Sequence, residues 1–212
     1  MIKIRWHGHS CFEFSNEKSL VIDPHDGVSI GIAPPKARAD IVLITHDHFD
    51  HNQARVVEKP DTIVVRESKR IDDIDITSIK AYHDKEGGKK RGEINMYLVR
   101  YDFLKFLHVG DLGHLLDEET IKKIGKIDML FLPVGGVFTI DAEEAYEIAN
   151  KIDTRVIVPM HYKIEGLSLP IDRIDKFLEI ASQSYPIRHV ANEIEIEKED
   201  IPETKEVWVF TL

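Results

Sequence analysis

Hydrophobic and polar positions in the first half of the chain form short apolar runs separated by turns. Residues 41–45, Ile-Val-Leu-Ile-Thr, are a solid apolar run, which is typical of a strand covered on both faces. Residues 86–92 form a charged, glycine-containing loop. The pattern predicts strands over residues 2–6, 11–14, 19–22, 41–45, 62–65, 71–82, 94–100 and 103–109.

The second half of the chain alternates helical patterns with short apolar runs. Asp117 and Asp141 each precede a helical pattern, and Glu144 follows Asp141 at the spacing of a capping box. Helices are predicted over residues 117–124, 141–152 and 170–184, the last beginning at a proline. Strands are predicted over residues 128–132, 155–158, 187–190, 194–196 and 207–210. Because no Pro/Ser-rich linker interrupts this order, residues 1–212 are predicted to form a single domain.

The charge balance and the cysteine content exclude several classes of protein. The net charge of -10 creates a mean field that repels nucleic acid and anionic membranes, so neither is an expected partner. The single cysteine, Cys11, permits neither an intramolecular disulfide nor a cysteine-rich zinc site. The chain shows neither a membrane-length apolar run nor a signal-peptide pattern, which predicts a cytoplasmic protein. Glutamine occurs only at Gln53 and Gln183, and this composition resembles that of thermophile proteins.

The 11 histidines point to the chemistry, because histidine is a common metal ligand and acid–base residue. The segment Thr-His-Asp-His-Phe-Asp-His ends at His51, at the carboxyl end of a predicted strand. In an extended chain His46 and His48 point the same way, and Asp50 and His51 can face a second ion as the chain turns. Mixed His and carboxylate ligands suit a divalent metal that keeps open positions for water. The alternative is a solvated polar turn in which Asp50 caps a helix.

With this segment and several others along the chain, the sequence resembles the metallo-β-lactamase superfamily. Its later landmarks recur in order as Tyr82-His83-Asp84, His108-Val-Gly-Asp111 and Pro159-Met-His161-Tyr162, and Asp23 matches an early strand-end aspartate. The resemblance is strongest to small hydrolases of the ascorbate-6-phosphate lactonase type, through Gly8-His9-Ser10, Ile22-Asp23-Pro24, His108-Val-Gly-Asp111 and Leu132-Pro-Val-Gly-Gly136. Val137 departs from the polar residue that many relatives have after the Gly-Gly pair. The resemblance implies an α+β fold, a four-layer αββα sandwich with two sheets inside.

The resemblance also implies a binuclear centre. It assigns His46, His48 and His83 to one metal and Asp50, His51 and His161 to the other, with Asp111 bridging. Two ions so placed would activate a hydroxide that attacks a carbonyl or phosphorus centre, and Asp50 would also orient it or pass a proton. Zinc is expected, with manganese or iron as alternatives. The implied function is hydrolysis of a small lactone or phosphoester.

Several further residues are expected near this centre. His9, Asp23 and His108 are candidates for hydrogen bonds that support the ligands. The basic residues of the loop after His83 are candidates for binding a substrate phosphate, with a solvated loop as the alternative; they are Lys85, Lys89, Lys90 and Arg91. Two other functions stay open, a di-iron redox protein of the same fold and a metal-binding protein without catalysis.

Overall fold

Two β-sheets make up most of the regular structure of the chain, which the computed structural model describes over residues 1–212. The six strands of the first sheet are β1 (Ile2–Trp6), β2 (Phe12–Ser15), β3 (Ser19–Ile22), β4 (Ala39–Leu43), β5 (Glu58–Val65) and β13 (Glu193–Ile196). The eight strands of the second sheet are β6 (Lys69–Ile71), β7 (Ile74–Tyr82), β8 (Glu93–Tyr101), β9 (Leu104–His108), β10 (Ile127–Pro133), β11 (Thr154–Met160), β12 (Ile187–His189) and β14 (Glu206–Val209).

Both sheets change from antiparallel to parallel pairing along the chain. The first has the order β13-β1-β2-β3-β4-β5, in which β3, β4 and β5 are parallel. The second has the order β12-β14-β11-β10-β9-β8-β7-β6, in which β9, β10 and β11 are parallel. Parallel strands end at the same edge of their sheet, so the loops after them meet there, as at ligand sites of α/β sheets.

The main core lies between the sheets and contains 50 buried residues. Phe14 of the first sheet stacks on Phe106 of the second with ring centroids 4.0 Å apart, and Phe131 packs edge-on against Phe14 at 5.4 Å. Each fully buried aromatic side chain contributes about 1.5–3 kcal/mol through the water it excludes. Successive side chains of β3 point to opposite faces of the first sheet. Leu20 therefore joins the main core, while Val21 belongs to a separate cluster on the other face.

Three α-helices occur in connections that follow strands of the second sheet. They are α1 (Glu118–Ile124), α2 (Ala142–Lys151) and α3 (Asp175–Ala181). The capping box predicted for α2 is present, since Asp141 accepts from the Glu144 N–H and Glu144 accepts from the Asp141 N–H. The separate cluster of the first sheet is covered by a segment with short 3-10 turns instead, including Ala54 and Val57. None of the helices is long and apolar enough to cross a membrane.

Two predicted elements are shorter in the structure than the sequence pattern indicates. The strand expected over residues 71–82 is divided, because the chain turns at Asp72, whose φ of 52° is left-handed, and pairs β6 with β7. The helix expected from Pro170 begins only at Asp175 and ends at Ala181. Tertiary contacts keep the preceding segment out of the helix, since the Asp172 N–H donates to the Gly135 carbonyl. Ile171 accordingly packs in a small cluster outside the main core.

Candidate metal centre

Seven side chains from four strand ends come together at one edge of the sheets. His46, His48, Asp50 and His51 follow β4, His83 follows β7, Asp111 follows β9, and His161 follows β11. The ligand atoms of His46, His48 and His83 all lie within 4.8 Å of one another, and we call these residues the first donor group. Those of Asp50, His51 and His161, together with His9, also lie within 4.8 Å of one another, and we call Asp50, His51 and His161 the second donor group.

Asp111 lies between the two donor groups. Its Oδ2 atom is 3.6 Å from His46 Nε2 and 3.2 Å from His83 Nε2, which belong to the first group. The same oxygen is 3.3 Å from His161 Nε2, and Oδ1 is 3.2 Å from His51 Nε2, both in the second group. This carboxylate therefore has the reach to bridge two cations.

Several donor atoms have no hydrogen-bond partner among themselves and are suited to bind a cation instead. His46 Nε2, His51 Nε2 and Asp111 Oδ1 are buried without a hydrogen-bond partner. The Nδ1 atom of His51 faces Asp23 at 2.9 Å and donates to it, which leaves Nε2 directed at Asp50 and Asp111. Burial lowers the pKa of His51, but Asp111, Asp50 and Asp23 outweigh it and raise that pKa well above its usual value, so the carboxylates favour a positive charge at this position. Lone pairs that face one another in a buried site are costly unless a positive charge lies between them. The residues therefore fit the metal ions that the sequence implies.

Burial and mutual attraction fix the protonation of these groups. Burial and the neighbouring His51 lower the pKa of His46 to about 3, so its ring is neutral near pH 7, as a metal ligand must be. Burial raises the pKa of Asp111, but His161 and His51 outweigh it and hold that pKa well below its usual range. The pKa of Asp50 is also depressed, because His51 and a hydrogen bond from His9 outweigh its burial.

Asp23 supports both donor groups from behind. Its Oδ2 atom accepts from His51 Nδ1 at 2.9 Å and from the Thr45 hydroxyl at 2.7 Å, and its Oδ1 accepts from the Thr45 N–H at 2.8 Å. Because the Thr45 hydroxyl donates to Asp23, it accepts from His46 Nδ1 at 2.9 Å. This leaves His46 Nε2 without a proton and turned toward Asp111.

His9 and His108 support the centre in different ways. His9 Nε2 lies 2.9 Å from Asp50 Oδ2, and its ring centroid is 4.2 Å from that of His161. His108 forms no hydrogen bond with a ligand side chain; its Nε2 donates to the Ser10 carbonyl, and its Nδ1 accepts from the Gly110 N–H. His108 thus fixes the turn that leads to Asp111.

Two residues that help to orient the metal ligands were not predicted from the sequence, because their role depends on close packing. Thr45 directly precedes His46, and this adjacency is the signal that could have identified it. Gly110 has a φ of 56°, and a Cβ atom there would lie 2.9 Å from Thr45 Cβ. A side chain at Gly110 would therefore displace the hydroxyl that orients His46.

A cavity of about 460 Å³ opens above the donor groups, a size that suits a small molecule. Of the four basic loop residues predicted to bind substrate, Arg91 lines this cavity, whereas Lys85, Lys89 and Lys90 do not. Lys90 pairs instead with Glu86 at 2.6 Å. The remaining lining side chains outside the donor groups and Asp111 are Asp47, Phe49, Phe138 and Leu169. The apolar members occupy no ligand position of a metal-binding motif, so no sequence signal identified them as part of the cavity.

Comparison with known proteins identifies the family. A model of a β-lactamase superfamily domain matches residues 3–161. A UPF0173 metal-dependent hydrolase of Thermococcus onnurineus is 30% identical over 76% of this chain and 85% of its own length. One of Nitratidesulfovibrio vulgaris is 32% identical over 76% of this chain and 80% of its own length.

The same relationship is seen among solved structures. The crystal structure of a candidate Zn-dependent hydrolase of the metallo-β-lactamase superfamily from Thermotoga maritima matches with a TM-score of 0.80 and 30% identity. The match covers 99% of this chain and 98% of that one. The predicted α+β class and metallo-β-lactamase fold are thus confirmed. The chain belongs to the UPF0173 metal-dependent hydrolase family of the metallo-β-lactamase superfamily.

Proposed function

We propose that this protein hydrolyses a small lactone or phosphoester with two divalent metal ions, zinc by preference. The observation that carries the proposal is the pairing of two donor groups around one carboxylate, Asp111, beneath a cavity of about 460 Å³. A binding site without catalysis needs no open cavity above the ligands. The family membership supports hydrolysis in general.

The two donor groups would hold one ion each. His46, His48 and His83 would bind the first, Asp50, His51 and His161 the second, and Asp111 both. When bound, two such ions supply a water activated near neutral pH and polarise the bond to be cleaved. Histidine and carboxylate ligands without cysteine are common to zinc, manganese and iron sites, so the preference for zinc rests on the relatives.

Asp50 is the residue placed to move a proton. It lines the cavity, and its Oδ2 lies between His9 Nε2 at 2.9 Å and His51 Nε2 at 3.3 Å. Its depressed pKa keeps it ionised at neutral pH, which weakens it as a base, so the role rests on its position: from the cavity wall it can orient an attacking water and relay the proton of that water to the leaving group. His9 holds the carboxylate in one orientation while this occurs.

The size of the cavity and the net charge of the chain favour a small substrate over a polymer. A net charge of -10 opposes long polyanions such as RNA. The resemblance of Gly8-His9-Ser10 and Leu132-Pro-Val-Gly-Gly136 to the ascorbate-6-phosphate lactonase type supports a lactone. The Asp at position 111, where β-lactamases of this superfamily have Cys, argues against antibiotic hydrolysis.

The test is a panel of lactones, phosphomonoesters and phosphodiesters, assayed with protein reconstituted separately with zinc, manganese and iron. We expect turnover that a chelator abolishes and that re-addition of metal restores, with two ions bound per chain. The variant Asp111→Ala should lose turnover, while His189→Ala serves as a control because His189 is exposed and far from the motif. Metal binding without any turnover would favour a non-catalytic role, and oxygen-dependent redox activity of the iron form would favour the di-iron alternative.

A further inference from the structure

Several Lys and Arg side chains surround the cavity and its adjoining clefts, and only that of Arg91 forms no ion pair with a carboxylate. The other basic side chains there are paired: Arg66 with Asp47, Lys80 with Glu93, Lys85 with Glu144 and Lys90 with Glu86. Arg91 forms neither an ion pair nor a side-chain hydrogen bond, although it is exposed and lines the cavity. A free guanidinium at the entrance to a site is suited to bind an anionic group in a bidentate manner.

The main chain of Arg91 is fixed by its own loop. The buried Asp84 carboxylate accepts from the Arg91 N–H at 2.8 Å and from the Lys90 N–H at 2.9 Å. Its second oxygen accepts from the Glu86 and Gly88 N–H groups at 2.8 and 2.9 Å. A side chain on so constrained a loop loses little freedom when it binds a ligand.

Apolar side chains line the cavity beside this cation. The Arg91 guanidinium lies 5.3 Å from the ring centroid of Phe138, a cation–π distance that directs it along the wall. Phe49, which is 53% exposed, and Leu169 contribute to the same lining. Phe138 and Leu169 pack against a small hydrophobic cluster separate from the main core, and this packing holds the apolar side of the cavity in place.

The turn that carries Phe138 is strained. Val137 has a φ of 63°, a left-handed conformation that a β-branched residue rarely adopts, and it is 57% exposed. Strain of this kind persists where the surroundings impose it, and it concentrates at ligand sites. Exposed apolar side chains grouped at a cavity mouth are typical of surfaces that a ligand covers.

We propose that the substrate is amphiphilic, with an anionic group bound by Arg91 and an apolar group packed against Phe49, Phe138 and Leu169. The proposal rests on the proposed function, because it places the bond to be cleaved above the two donor groups. It adds a substrate class, that of small molecules in which a carboxylate or phosphate is joined to an aliphatic or aromatic group.

The test measures binding rather than turnover, so it does not depend on hydrolysis. The dissociation constants of 4-phenylbutanoate and its neutral counterpart 4-phenylbutan-1-ol are measured by calorimetry on metal-reconstituted protein. Arg91→Gln should weaken the carboxylate by about 10–100-fold and the alcohol by less than about twofold. Phe138→Ala should weaken both probes. Arg55→Gln, the same change at an exposed arginine that forms no ion pair, should weaken neither.

Three results would overturn the proposal. If Arg91→Gln binds the carboxylate as tightly as the wild type, the anion is held elsewhere, for instance by the metal ions. An equal loss in Arg55→Gln would show a general charge effect, and failure of the wild type to bind either probe would remove the apolar wall as a binding surface. Arg91→Lys guards against misfolding, since it keeps the charge and should retain part of the carboxylate affinity. If the binding measurements give the expected results but no compound of the hydrolysis panel is turned over, only the proposed function is contradicted.

Discussion

The Nδ1 atom of His51 lies 2.9 Å from Oδ2 of Asp23, and both side chains are completely buried. The same oxygen accepts from the Thr45 hydroxyl, which in turn accepts from His46. One carboxylate therefore orients a histidine of each donor group, although it does not line the cavity itself. The two halves of the centre are coupled through Asp23 as well as through Asp111.

We predict that Asp23→Asn lowers the affinity for both metal ions, by about 10–100-fold, because residues that orient ligand histidines have effects of this size. The amide would present a donor or a weaker acceptor to His51 and Thr45. Chelator competition titrations on the purified protein measure the two affinities. Asp26→Asn is the control, because Asp26 lies in the following loop and bonds only to Ser29. Wild-type affinity at either site in Asp23→Asn would show that the carboxylate orients only one donor group.

Asp50→Ala is predicted to lower kcat by about 10²–10⁴-fold, the range expected for loss of a positioned acid–base group. The same change removes a member of the second donor group, so the metal content of each preparation must be measured beside the rate. Assays in metal-replete buffer with whichever substrate of the panel is turned over give the comparison. Near-normal turnover there would show that Asp50 does not move the proton.

Local sequence signals predicted much of the centre, because its residues lie directly after strands. The segment from His46 to His51 is contiguous, and its position at the carboxyl end of β4 could be inferred from the apolar run before it. The N-cap at Asp141 depends only on residues three apart, so it was equally accessible. Metal binding by these residues stays a prediction, whereas the fold is confirmed.

Features that depend on distant contacts could not be predicted. Pro170 is suited to a helix start, but the Asp172 N–H donates to the Gly135 carbonyl and the Asp172 carbonyl accepts from the Lys163 N–H, so these groups make no helical hydrogen bonds. The distinction between Arg91 and Lys89 likewise depends on how Asp84 folds the loop. Phe138 belongs to the cavity only because a strained turn directs it there, and no periodicity records such a turn.

His9 is predicted to be a positioning residue for Asp50. His9→Asn retains a residue type that tolerates the left-handed φ of 55°, but its side chain is too short to reach Asp50 as the imidazole does. We expect kcat to fall about tenfold or more, with little change in KM or in the metal content. His189→Asn is a control at an exposed histidine outside the donor groups. Unchanged kcat in His9→Asn would show that Asp50 needs no support from this side.

The last prediction concerns the loop that carries Arg91 and its dependence on pH. Four backbone N–H groups donate to the Asp84 carboxylate, and although burial opposes them, they lower its pKa to about 2. A carboxyl group whose pKa is depressed in the folded state stabilises that state above its unfolded pKa of about 3.9, and this stabilisation is lost as the pH falls toward the folded value. The loop order should therefore persist at pH 4 and be half lost near pH 2.

Amide resonances of Glu86, Gly88, Lys90 and Arg91 provide a local measurement, since a proton on the carboxylate weakens all four hydrogen bonds together. Their shifts should follow one common titration with a midpoint near pH 2, and Asp84→Asn should remove it. In Asp117→Asn, which alters the N-cap of α1, the four resonances should titrate as in the wild type. Midpoints near pH 4 would mean that the four bonds do not favour the ionised carboxylate, and the constraint on Arg91 would then be weaker than its geometry indicates.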